Sequence, residues 1–319
     1  MEIGLVKRIE LDHVTLAVDE VGDQSGPPVL LIAGATQSMD WWPPDFCETL
    51  AADGLHVIRY DQRDTGESTA SPPGHPSYTG GDLATDPLRI MDRLGISAAH
   101  LVGVSMGGGI AQYLGVHAAD RVLSLTLIES SPAGGGTDDL PPPEAAVAED
   151  ATPEPEDWSD TSAVIDYRVE AERPYAGSLG FDDARFRAIA TREAGRSRDM
   201  AASMVNHFLL AADAGADPSL ITAPTLIVHS DSDPLFPLAH GEALARIIPN
   251  ATLLRVHGMG HEVPPPRVWN VVVPALVEHV RAASAIVPES GDVSGRFRQW
   301  PREDADSPPR APGTSGCSG

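Results

Sequence analysis

This 319-residue chain is poor in lysine, cysteine and aromatic residues, and each shortage narrows what it can do. Lys7 is its only lysine, and 22 basic residues face 46 acidic ones, a formal net charge of −24. A surface so acidic repels phosphate backbones and anionic lipid, which argues against nucleic acid and acidic membranes as partners. The two cysteines, Cys47 and Cys317, give no disulfide framework, no metal-ligand cluster and no indicated thiol nucleophile. Met1 to Glu10 carries no long apolar stretch of the kind a secretory signal needs, and no run approaches the ~20 apolar residues of a membrane helix. A cytoplasmic protein is the expectation. No internal repeat is visible. At 42% hydrophobic residues the chain can still bury a sizeable core.

What is present has an alternating order. Ile3 to Val18 reads as a hairpin turning at Asp12-His13. Short apolar strands follow at Val29–Ala33, His56–Tyr60, His100–Val104 and Val122–Ile128. Helical spacing falls between them, over 43–52, 82–94 and 106–117; Pro87 is expected to kink the second of these or to start it. Strands alternating with helices argue for a mostly parallel, doubly wound sheet. The pattern breaks over 133–215. A Pro-rich acidic segment to Asp160, expected to be mobile, precedes a purely helical stretch. It resumes with strands Thr225–His229 and Thr252–Val256 and a last helix carrying Trp269, Val272, Val273, Leu276, Val277 and Val280 on one face, which Pro274 should bend or restart. The division expected is a core of residues 1–132 and 216–283, a helical cap of 133–215 between the sixth and seventh strands, and a disordered tail of 284–319.

The chemistry-bearing stretch is Gly103-Val104-Ser105-Met106-Gly107, a Gly-x-Ser-x-Gly that ends one strand and opens a helix. On such a turn the serine hydroxyl stands clear of the sheet, and small flanking residues let strand and helix approach. A serine needs a base to take its proton, and the base needs an acid to orient it. After the next-to-last strand comes Asp231-Ser232-Asp233-Pro234; after the last comes His257-Gly258-Met259-Gly260-His261. Asp233 is the chosen acid, because Pro234 holds it out of helical geometry. Asp231, a turn-former, and Glu129, just after an earlier strand, are the alternatives. His261, on a glycine-bearing loop, is the chosen base over His257. Two backbone N–H groups should hold the oxyanion: Met106, directly after the serine, and Ala35 of the Gly34-Ala35-Thr36 turn. Trp41 and Trp42 could line a pocket or cover core beneath the next helix; His207 and Phe208 are candidates for the facing wall.

Through these residues the chain resembles the α/β-hydrolase superfamily over about residues 1–282. Trp41-Trp42-Pro43 and Arg59-Tyr60-Asp61-Gln62-Arg63-Asp64-Thr65-Gly66-Glu67-Ser68 are similar to the aclacinomycin methylesterase group. That group cleaves a methyl ester from a bulky aromatic polyketide, and related sequences include esterases that open macrolactones. The usual His-Gly of the oxyanion turn is Ala33-Gly34 here. The resemblance implies a serine ester hydrolase acting on a small molecule, with no cofactor or metal. The serine itself disfavours the dehalogenase and epoxide-hydrolase branches, which use an aspartate. A perhydrolase, a C–C bond hydrolase and, from another class, a non-catalytic small-ligand receptor stay open. Oligomeric state is not legible.

Overall fold

A computed structural model describes residues 6–134, 139–149, 151–210 and 215–286. The chain opens with strands β1 (Lys7–Leu11) and β2 (Val14–Val21), paired antiparallel across the Asp12-His13 turn. Then come β3 (Pro28–Ile32), α1 (Pro44–Ala52), β4 (His56–Tyr60), α2 (Gly80–Leu94), β5 (Ala99–Val104), α3 (Met106–His117) and β6 (Val122–Ile128). Four helices follow without a strand: the single turn α4 (Ala145–Ala148), α5 (Thr161–Glu172), α6 (Asp183–Arg196) and the short α7 (Met200–Val205). The chain then returns through β7 (Thr225–Ser230), α8 (Ala239–Ile247) and β8 (Ala251–Val256) to α9 (Trp269–Ile286).

The eight strands form one sheet in the order β1-β2-β4-β3-β5-β6-β7-β8, parallel from β4 to β8. Its central strands β4, β5 and β7 are buried at every residue, and β3 and β6 nearly so. Continuous apolar runs suit strands covered on both faces. Alternation sends Val29, Leu31 and Val102 to the side of α1 and α9, and Leu30, Ile32 and Leu101 to the side of α2, α3 and α8. At roughly 25 cal/mol per Å² of apolar surface, these two layers are the main favourable term in folding. The first layer also takes in Val169, Phe186, Ile189 and Ala190 of α5 and α6, so the inserted helices share a core with the sheet.

Pro87 and Pro274 both lie inside continuous helices, so neither marks a helix start. Helix α2 neither begins at Pro87 nor stops before it. It starts at Gly80, where Thr79 and Asp82 cap each other's backbone N–H groups, and it continues through Pro87. Helix α9 likewise continues through Pro274 and runs to Ile286, past the expected start of the tail near Ser284. The disorder expected of 287–319 lies outside the described residues, as do 135–138 and 150 of the expected mobile segment. No helix among the described residues is long and apolar enough to cross a membrane.

Candidate active site

Ser105 sits between β5 and α3 with φ 53° and ψ −118°, a backbone region that a residue with a Cβ enters only at a cost of about 1–3 kcal/mol. The surroundings enforce it. The Ser105 N–H donates to the Ile128 carbonyl at 3.0 Å, and its carbonyl accepts from Gly108 N at 2.9 Å. A Cβ at Gly103 would meet the Gly107 carbonyl oxygen at 2.2 Å, and one at Gly107 would meet the Ile32 oxygen at 2.3 Å. Only glycine lets β5, α3 and β3 close up around this turn. Ser105, Met106 and Ala35 are half-buried while their neighbours are fully buried, so the turn has an open side.

Asp233, after β7, and His261, after β8, meet at 2.8 Å between the Asp233 carboxylate and His261 Nδ1. Both are buried. The other Asp233 oxygen accepts from Leu235 N at 2.8 Å and Phe236 N at 3.0 Å, which fixes the carboxylate plane. Burial alone would raise this carboxyl. The facing imidazole, Glu129 and the Phe236 amide outweigh it and hold the group well below the usual carboxylate range. Because Asp233 takes Nδ1, Nε2 is the ring nitrogen free to serve a hydroxyl. The His261 loop is pinned from the inserted region: His261 N donates to the Tyr175 carbonyl, and Leu179 N to the Gly258 carbonyl, each at 2.9 Å.

Glu129, one of the alternative acids, lies beside this pair. It is buried with φ 40°, and one oxygen accepts from Ser230 N at 2.9 Å. Burial, then the Asp233 charge, push its pKa well above the ordinary value. Glu129, His229 and Asp233 bring potential ligand atoms within 4.8 Å of one another. The Asp233 oxygens are already committed to His261 and two amides, and His229 Nε2 donates to the Phe236 carbonyl at 2.7 Å. The other alternative, Asp231, pairs at 2.7 Å with His257, whose side chain is 85% exposed.

The turn after β3 is held on several sides. Gly34 N donates to Gln37 Oε1 at 2.9 Å, and Gln62 Nε2 donates to the Ala33 and Gly34 carbonyls at 3.0 Å each. A Cβ at Gly34 would stand 3.6 Å from the Ser105 Cβ, so this turn borders the nucleophile position. The Met106 N–H, as the first of α3, has no acceptor within its own helix. Ala35 follows Gly34 on this turn, and Met106 follows Ser105 directly in the chain.

The proposed pocket residues are placed differently from one another. Trp41 and Trp42 belong to the core, both fully buried. Trp42 stacks on Phe46 at 5.7 Å, which is the core-covering alternative. Trp41 lies under the Arg168 guanidinium at 4.4 Å and donates from Nε1 to Glu193 at 2.9 Å, so it joins core to inserted helices. Phe208 points outward and is 71% exposed. His207 is buried, but both ring nitrogens are taken by backbone: Nδ1 accepts from Thr36 N at 3.0 Å, and Nε2 donates to the Arg63 carbonyl at 2.8 Å. Reading the sequence gave no hint of that link, nor of the buried Arg168–Glu193 pair at 3.0 Å whose Glu193 also accepts from Ser38 N. Each joins residues more than 130 positions apart or sits among ordinary helix charges, so only the fold brings them into view.

Comparisons with known proteins agree with this architecture. A match to the α/β hydrolase fold family covers residues 27–162, and one to the TAP-like protein family covers 201–277. The rhodomycin D methylesterase DnrP of Streptomyces peucetius is 33% identical over 298 residues, spanning 87% of this chain and 99% of that protein. The non-heme chloroperoxidase CPO-A1 of Kitasatospora aureofaciens is 30% identical over 75% of this chain and 86% of its own. Among solved structures, the esterase RhEst1 from Rhodococcus sp. ECU1013 superposes with TM-score 0.66 at 20% identity, covering 88% of this chain and 99% of that one. The chain belongs to the α/β-hydrolase family and is a hydrolytic enzyme of it.

Proposed function

We propose that this chain is a serine carboxylic ester hydrolase acting on a bulky, largely apolar ester, such as a methyl ester or macrolactone of a polyketide-like compound. The observation that carries the reading is the buried Asp233–His261 bond at 2.8 Å, on the loops after β7 and β8 of the same parallel sheet whose β5 ends at the Ser105 turn. His261 Nε2 takes the Ser105 proton as the hydroxyl oxygen attacks the ester carbonyl. The Ala35 and Met106 N–H groups hold the oxyanion of the tetrahedral intermediate. His261 then protonates the leaving alcohol and activates the water that releases the acid. Asp233 stays ionised and keeps the imidazole in the tautomer that leaves Nε2 available. The reaction calls for no cofactor, and its partner is the small-molecule ester.

The methylesterase relative supports the ester class, and the chain's resemblance to methylesterases of aromatic polyketides supports the bulky acyl group. A second reading, a perhydrolase that makes a peracid at the same serine, is favoured by the likeness to the chloroperoxidase CPO-A1. A fluorophosphonate is expected to label the native protein and leave Ser105→Ala unmodified. Failure to label native protein, beside a control esterase that labels, sinks the serine mechanism. A panel of p-nitrophenyl esters of rising chain length, a hindered methyl ester and a macrolactone is expected to be hydrolysed. Peroxide-dependent halogenation of a dye in acetate buffer that outruns every ester would select the second reading.

A further inference from the structure

We propose that His207, outside the Ser105–His261–Asp233 set, is a positioning residue that fixes the oxyanion donor through its Nδ1. This rests on the esterase reading above. Three successive amides lie on the turn beside Ser105, and two are spoken for: Gly34 N by Gln37 Oε1, and Thr36 N by His207 Nδ1. Ala35 N, between them, is the amide left to face the reacting centre. Its own peptide plane is set from the core, because Gln62 holds the Gly34 carbonyl and a trans peptide points the N–H the opposite way. The next plane is set by His207, which reaches in from the inserted region.

That second plane needs holding. Thr36 has φ 65°, a region that a β-branched residue leaves when it is free to. Two groups keep it there. His207 accepts from its N–H at 3.0 Å, and Arg168 Nη2 donates to its hydroxyl at 3.4 Å. The imidazole is oriented for the task. Nε2 must carry its proton to donate to the Arg63 carbonyl, so in the neutral ring Nδ1 is an acceptor. Burial lowers the His207 pKa, which favours the neutral ring. If the Thr36 bond is lost, the Ala35–Thr36 plane is free to turn, and the strain it puts on Ala35 shifts the neighbouring N–H off its line to the oxyanion even though Gln62 still holds the Gly34 carbonyl. Binding of the ground-state ester is little affected, because the oxyanion exists only in the transition state.

Two substitutions separate the two ends of the ring. In His207→Asn the amide oxygen stands near the Nδ1 position and can accept from Thr36. In His207→Gln the amide nitrogen stands near Nε2 and can donate to Arg63, but the Thr36 acceptor is gone. The expectation is a fall in kcat of roughly 10- to 100-fold for His207→Gln, with KM within about threefold. His207→Asn should stay within about fivefold of native kcat. Affinity for a trifluoromethyl ketone analogue of an accepted ester should drop in His207→Gln in parallel with kcat/KM. Equal kcat in both variants, or a KM change without a kcat change, overturns the proposal. A ring-nitrogen NMR measurement on native protein stands apart from any folding defect in the variants. A proton on Nε2 alone is required at neutral pH, and a proton on Nδ1 overturns the assignment. A native protein that hydrolyses no ester and takes no fluorophosphonate would instead remove the esterase reading, an outcome distinct from active native enzyme with indifferent variants.

Discussion

Asp231 and Asp233 flank a single serine, and each holds a histidine of the same loop, at 2.7 Å for His257 and 2.8 Å for His261. Bond length does not separate the pairs; surroundings do. The His257 side chain is 85% exposed and that of His261 9%. The outer pair sits in water, where an ion pair contributes about 0–1 kcal/mol. Asp231 is lowered to about 2, chiefly by the Gly258 amide and then by His257, a turn-forming role. In the inner pair both carboxylate oxygens are committed, the buried Glu129 carboxyl with its raised pKa lies behind, and the imidazole is held at its backbone as well as its ring. Removing one partner there leaves a buried group unsatisfied, so the same residue pair carries far more consequence.

The comparison can be broken from the inside out. Ser105→Ala and His261→Ala should each lower kcat/KM on an ester substrate by about 10⁴- to 10⁶-fold, measured by single-turnover hydrolysis. Loss of less than about tenfold would place the nucleophile or base elsewhere. Asp233→Asn should cost about 10⁴-fold in kcat, since an amide can stabilise the wrong tautomer. Native-like turnover in this variant would pass the acid role to Glu129.

A smaller effect concerns stability. Glu129 has a raised pKa in the fold, so ionisation of the unfolded chain above its ordinary value near 4.5 favours unfolding. Its contribution to stability falls as pH rises from there towards the folded value. Glu129→Gln, neutral at every pH, should therefore melt progressively higher than native protein as pH goes from 5 to 8, by a few degrees at the upper end. A gap that stays constant with pH contradicts a raised Glu129 pKa. Least of all, His257→Ala and Asp231→Asn should leave kcat/KM within about twofold and stability within about 0.5 kcal/mol.

The sheet was legible because its inner strands are unbroken apolar runs, Val29 to Ala33 and His100 to Val104 among them, bounded by turn residues. Ser105, Asp233 and His261 were legible as candidates because each follows a strand end in a set chain order. The capping of α2 carried its own local signal, Thr79 three residues before Asp82, which outweighs the presence of Pro87 further along. What could not be read depends on partners distant in the chain. Two adjacent tryptophans do not reveal that Phe46 covers one and Arg168 the other. A histidine in a helical stretch does not reveal an acceptor for a turn 171 residues away.

The inserted helices bond to the backbone on both sides of Ser105: to Thr36 and Ser38 on one loop, and to Gly258 and His261 on the other. Such a region is not a detachable module in descent. Exchanging it for that of a relative would remove main-chain partners from the catalytic loops along with the substrate walls. Variation in what the enzyme accepts is then confined to positions that spare those bonds, or must arise by paired changes in loop and insert.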